Sequence, residues 1–176
     1  MLRLLLVLPV ILMLLDEDYE AALALFALAG LSDALDGFLA KRYGWKSRLG
    51  SILDPVADKA LLVSTYVTLA YLALIPAWLV IAIVARDLVI FMGAVAYHYL
   101  IGKYEMSPSL LSKINTFGQI VLALTVVTAA HFTAVSMGFI DVLIYAVLVT
   151  TILSGTSYVW SWSLQAVRAR SRSHCG

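Results

Sequence analysis

The chain has 176 residues, 62% of them hydrophobic and 13% charged, with a mean hydropathy of +0.96. Soluble domains carry about 25% charged residues, so this composition excludes a water-soluble globule and makes lipid the solvent of most of the surface. A net charge of +1 points to no partner by itself, and no nucleic-acid ligand is expected. Six apolar stretches follow, near residues 1–15, 19–40, 51–74, 77–102, 113–135 and 139–164, set against the ~20 residues a membrane span needs. They predict an all-α polytopic membrane protein with six transmembrane helices and a single unit over 1–176. The first stretch is short. Met1-Leu2-Arg3 before an apolar run also reads as a signal peptide, but no small-x-small cleavage site lies between Leu15 and Ala21. A short first helix, with any preceding segment missing or brief, is the preferred reading.

The breaks between stretches are charged in a consistent way. Asp16-Glu17-Asp18 ends the first stretch, and Lys41 to Arg48 forms a basic loop after the second. Ile75-Pro76, Gly102 to Ser112 and Ser136-Met137-Gly138 separate the rest. Threading six spans with the N-terminus inside puts Arg3, Lys41, Arg42, Lys46, Arg48, Lys103, Lys113, Arg168, Arg170 and Arg172 on one side. The other side receives Asp16, Glu17, Asp18, Glu20 and Asp141, with no lysine or arginine. Basic residues accumulate in cytoplasmic loops because they resist translocation. Both termini are therefore expected in the cytoplasm, and the absence of an Arg/Ser-rich transit peptide favours a bacterial inner membrane. Arg168-x-Arg170-x-Arg172 serves as a topological anchor or attracts anionic headgroups, at about 1 kcal/mol per basic residue.

With those ten placed at the ends or in the loops, Lys59 and Arg86 remain, of the twelve basic residues, inside the spans. Four aspartates do so at periodic spacing. Asp33 and Asp36 are three apart and Asp54 and Asp58 four apart, so each pair shares a helical face. Both pairs lie toward the cytoplasmic ends of helices expected to be adjacent and antiparallel. Ionisable residues in a span cost about 2.5–3.5 kcal/mol each on insertion scales and usually mark function. Four carboxylates in a low-dielectric site would raise one another's pKa unless divalent cations neutralise them. Hard oxygen donors suit magnesium or manganese, and a pair of such ions ~4 Å apart clamps in-line displacement at phosphorus. Simple pairing with Lys41, Arg42, Lys59 or Arg86 is the bland alternative. An ion-coupled transporter is a further one, disfavoured because its site would lie near the midplane on broken helices.

The spacing Asp33-x2-Asp36-Gly37-x2-Ala40-Lys41-x8-Gly50-x3-Asp54-x3-Asp58 resembles the signature of the CDP-alcohol phosphatidyltransferase family. One position departs, since the family usually has arginine where Lys41 stands. Lysine keeps the charge but lacks the planar fork. The resemblance implies six transmembrane helices, often as a homodimer, with the site open to the cytoplasm. It implies that Asp33, Asp36 and Asp54 bind Mg2+ or Mn2+, two ions in all, and that Asp58 binds metal or acts as the general base. Asp33, Gly37, Ala40, Lys41 and Gly50 would line the nucleotide and diphosphate site. The donor would be CDP-diacylglycerol and the released product CMP.

The acceptor rests on looser features. Leu74-Ile75-Pro76, Ala85-Arg86-Asp87 and Ser107-Pro108-x3-Ser112-Lys113-Ile114-Asn115-Thr116 are similar to the cardiolipin-forming branch of the family. Relatives that use glycerol 3-phosphate typically carry a further arginine about a turn after the Arg-Glu of the fourth helix, where this chain reads Ile90-Phe91-Met92-Gly93. Phosphatidylglycerol is thus the expected acceptor, with phosphatidylglycerol phosphate synthesis as the alternative. Arg86 and Lys113 are candidate acceptor-binding residues, although an Arg86–Asp87 structural pair fits equally well. Trp78, Trp160 and Trp162 fit interfacial anchors; the histidines and Cys175 carry no evident chemistry.

Overall fold

The computed structural model describes residues 2–43, 48–101, 110–132 and 136–172, with side chains described for 5–32, 35, 57–93, 110–132 and 136–158. Six helices occupy them: α1 (Leu2–Leu15), α2 (Tyr19–Tyr43), α3 (Arg48–Tyr71), α4 (Ala77–Ile101), α5 (Leu110–His131) and α6 (Met137–Arg172). No strand occurs among the described residues. The expected order and type of element is therefore present. Several boundaries differ by a few residues, and two of them have a clear physical reason. The sixth apolar stretch was expected to end near 164, whereas α6 runs on to Arg172. Apolarity delimits a span but not a helix, and Leu164-Gln-Ala-Val-Arg-Ala-Arg170 is rich in helix formers.

The α3 boundary falls earlier than residue 74 because the backbone turns there. Ala73 has φ 56°, its N–H donates to the Ala70 carbonyl at 3.1 Å, and the Leu74 N–H donates to the Leu69 carbonyl at 2.9 Å. This left-handed closing turn satisfies carbonyls that the helix end would orphan. Glu17 (φ 59°) closes α1 in the same way, with Glu17 N–H on the Leu14 carbonyl and Asp18 N–H on that of Met13. Asp18 then caps α2, its Oδ1 accepting the Ala21 N–H at 3.1 Å.

Helix α1 shows how apolar helices without a polar face still choose an orientation. Leu6, Val10 and Leu14, spaced by four, are buried, while Leu5, Leu8 and Leu12 on the other faces are 72%, 63% and 47% exposed. The same pattern recurs on α4, where Leu79 and Ile83 are buried and Ile81, Phe91 and Met92 are each more than 60% exposed. Leu110–His131 and Met137–Tyr158 are long and apolar enough to cross a membrane, by length and composition. Such contiguous apolar exposure marks a surface that meets lipid or another protein.

Among the described residues α1 packs on α2 and α3, α2 on α5, α3 on α4 and α5, and α4 and α5 on α6. Two rings of four helices result, α1–α2–α5–α3 and α3–α4–α6–α5, which share the α3–α5 pair. Helices α2 and α3, expected to be adjacent, each pack on α1 and α5 among the described residues; the side chains of Asp33, Asp36 and Asp54, where the two would converge, lie outside them. A side-chain tie marks the shared pair: the buried Tyr66 hydroxyl of α3 donates to the Gln119 carbonyl of α5 at 2.9 Å. Hydroxyls that face apolar surroundings turn back on their own helix, as Thr65 does to Leu61 O at 2.8 Å and Thr68 to Ser64 O at 2.9 Å.

Candidate active site

Helix α2 carries Asp33, Asp36, Gly37, Ala40 and Lys41, and α3 carries Gly50, Asp54 and Asp58. Helical geometry thus keeps Asp33 and Asp36 one turn apart, and Asp54 and Asp58 likewise. The side chains of Asp33, Asp36, Gly37, Ala40, Lys41, Gly50 and Asp54 lie outside the described residues. Asp58 is described. It lines a cleft of about 170 Å³ between α2, α3 and α5, together with Phe26, Ala29, Gly30, Leu61, Leu62, Thr116, Ile120, Ala123 and Leu124. Apart from Asp58 and Thr116 the walls are apolar. The α3 face that bears Asp58 is therefore turned toward α2 and α5, inside the first ring.

Asp58 and Lys59 are consecutive, so their side chains leave α3 about 100° apart. Lys59 faces the second ring. Its Nζ donates to Asp87 Oδ2 at 2.7 Å, and the other oxygen of Asp87 accepts from Arg86 Nη1 at 2.7 Å. Arg86 Nη2 donates to Ser112 Oγ at 2.8 Å and also to Ser154 Oγ. Three side chains of α3 and α4 are joined in this way to α5 and α6. Arg86 is only 7% exposed, and its position follows from periodicity: it continues the inward stripe of Leu79 and Ile83 on α4.

The facing stripes of α5 and α6 explain why partners wait there. On α5 the inward positions read Ser112, Asn115, Gln119, Leu122 and Val126; on α6 they read Ile140, Ile144, Val147, Thr151 and Ser154. Running antiparallel, the two helices bring their polar halves together at the level of Arg86. Asn115 Oδ1 accepts from Thr150 and Thr151, each at 2.9 Å. Gly155 lets the arginine stem lie close, a Cβ there being 3.5 Å from Arg86 Cγ. Among the described residues three buried nitrogens have no hydrogen-bond partner: Arg86 Nε, Asn115 Nδ2 and Gln119 Nε2.

Of the two candidate acceptor residues, Arg86 is enclosed and paired, and Lys113 is exposed on the first turn of α5. The expected Arg86–Asp87 pair is present. Sequence reasoning missed Ser154, Thr150 and Thr151, and its alternative pairing set Lys59 against a signature aspartate, whereas the structure pairs it with Asp87. The signal was available in the α5 and α6 stripes, which change from apolar to polar at matching ends. The link from Lys59 to Asp87, 28 residues apart, left no such trace.

A family model described as CDP-alcohol phosphatidyltransferase matches residues 1–167. Cardiolipin synthase (CMP-forming) of Rattus norvegicus is 35% identical over 162 residues, covering 83% of this chain and 54% of that protein. The Homo sapiens protein of the same name gives the same identity and coverage. CDP-diacylglycerol--glycerol-3-phosphate 3-phosphatidyltransferase of Bacillus subtilis is 31% identical over 140 residues, covering 78% of this chain and 71% of that protein. The chain spans about half the length of the two cardiolipin synthases.

Proposed function

Because the chain belongs to the CDP-alcohol phosphatidyltransferase family, we propose that it transfers the phosphatidyl group of CDP-diacylglycerol to phosphatidylglycerol, forming cardiolipin and CMP. The observation that carries this reading is the Asp58-bearing cleft between the two helices of the aspartate signature. Its apolar walls suit a lipid substrate, and its carboxylate is at hand for a hydroxyl proton. Asp58 accepts that proton as the hydroxyl oxygen bonds to the lipid-side phosphorus. The phosphorus–oxygen bond to CMP breaks and CMP leaves with the electron pair.

A carboxylate facing into this cleft, with Asp54 one helical turn before it and Asp33 and Asp36 on α2, is a hard-oxygen donor set that fits Mg2+ or Mn2+. Asp33, Asp36, Asp54 and Asp58 would hold the ions, which supply charge neutralisation at the diphosphate when bound. Gly37, Ala40 and Gly50, the small residues of the signature, would line the nucleotide site, and Lys41 would supply a cation for the diphosphate.

Six membrane spans, cytoplasmic termini and a cytoplasm-facing site in an inner membrane belong to the same reading. Their support is the one-sided distribution of basic residues and the exposed apolar faces of α1, α4, α5 and α6. A homodimer is part of it as well. The similarity to glycerol-3-phosphate transferases keeps phosphatidylglycerol phosphate synthesis as the second reading. Competition between the acceptors separates the two: phosphatidylglycerol should be used at least about tenfold better than glycerol 3-phosphate, or roughly 1.4 kcal/mol at the transition state. The reverse preference would favour the second reading.

A further inference from the structure

Lys59 is the remaining cation of the apolar stretches, and its surroundings differ from those of Arg86. Such residues are costly in a span and tend to mark function. The Arg86 guanidinium is closed in by Asp87, Ser112 and Ser154, with the residue 7% exposed. An incoming anion reaches it only if α4, α5 and α6 part. The Lys59 side chain is 40% exposed. Its ammonium carries three N–H donors, and Asp87 at 2.7 Å is its one partner among the described residues. The chain Arg86–Asp87–Lys59 holds two cations and one carboxylate, a formal surplus of one positive charge. Unpaired charge in apolar surroundings is unfavourable until an anion meets it.

We propose that the Lys59 ammonium binds the phosphate of the acceptor, with Asp87 as the positioning residue that aims it. The proposal rests on the transferase reading above. Asp58 and Lys59 have Cα atoms about 3.8 Å apart, and their side chains diverge from there. A glycerol headgroup carries its terminal hydroxyl three carbons from its phosphate. The hydroxyl can thus sit at the Asp58 carboxylate while the phosphate sits at the lysine, both held by one turn of α3. Lysine suits this task, being a compact charge on a flexible stem that reaches a phosphate without bidentate geometry. An alcohol without an anionic phosphate gains nothing from it.

The test is steady-state kinetics of the full chain in lipid vesicles, with CDP-diacylglycerol and phosphatidylglycerol each varied. Lys59→Met should raise KM for phosphatidylglycerol by about tenfold or more and change KM for CDP-diacylglycerol by less than about twofold. Lys59→Arg should recover most of the loss. A purely structural lysine would behave differently. Its loss would raise both KM values together, in step with a lower Tm; here KM for phosphatidylglycerol alone should rise. An equal rise in both KM values, or an unchanged KM for phosphatidylglycerol, overturns the proposal. Should the unaltered protein use glycerol 3-phosphate and not phosphatidylglycerol, the assigned acceptor falls. The lysine proposal is then judged by KM for glycerol 3-phosphate, and an unchanged value in Lys59→Met overturns it.

Discussion

In the ring of α1, α2, α5 and α3, the side chains around Asp58 leave a cleft of about 170 Å³ with apolar walls. In the ring of α3, α4, α6 and α5, the same level is tied together by polar and charged side chains. Lys59, Asp87, Arg86, Ser112 and Ser154 run through it as one hydrogen-bonded chain, with Asn115 and Thr151 beside them. Helix α3 belongs to both rings, so one of its faces is anchored and the other lines the cleft. The far end of the second ring opens instead into a cleft of about 750 Å³, lined by Ala70, Ala73, Leu74, Ala129, Ile144 and similar residues, with Asp141 among them. The larger cavity is not the one beside the aspartate signature.

Exchanging the two acidic groups sharpens that contrast most. Asp58→Asn keeps shape but removes the base, and should lower kcat for CMP release by about 10³-fold, within the range of general-base effects. Asp141→Asn in the larger cleft should leave kcat within about twofold. Comparable losses in both variants would erase the functional distinction between the clefts.

Breaking the anchored face comes next. Arg86→Met leaves Asp87 and the serines short of their donor, and loss of one partner of a buried charged pair costs about 3–5 kcal/mol. Thermal unfolding in detergent should show a large drop in Tm. Ala129→Leu in the open far cleft should move Tm far less. Equal shifts would mean that the hydrogen-bonded chain is no more important to stability than the apolar packing.

The smallest effect belongs to the far end. Ala73 has φ 56°, a region in which residues with a Cβ are strained by about 1–2 kcal/mol. Ala73→Gly should therefore raise stability by up to about 1 kcal/mol, offset in part by the freer unfolded chain. A lower Tm would show that the Ala73 methyl group contributes more to packing than its backbone strain costs.

Legibility in the sequence followed the same division. The six helices were readable because apolar length and polar punctuation act locally, and even the α3–α4 break was marked by Pro76. The overshoot at residues 72–74 arose because Leu72-Ala73-Leu74 is apolar, and apolarity does not report a left-handed turn. That Asp54 and Asp58 lie one turn apart on a single helix was legible from their spacing. The partners of Arg86 were not, since Ser112 and Ser154 lie 26 and 68 residues away and meet it only through the crossing of three helices.

The most direct measurement supplies the purified full chain, in vesicles, with CDP-diacylglycerol, phosphatidylglycerol and magnesium or manganese, and quantifies cardiolipin and CMP together. The two products should appear in equal amounts, vanish with a chelator and return when the ion is restored. Neither product forming with the ion present, or turnover continuing undiminished in chelator, would contradict the account.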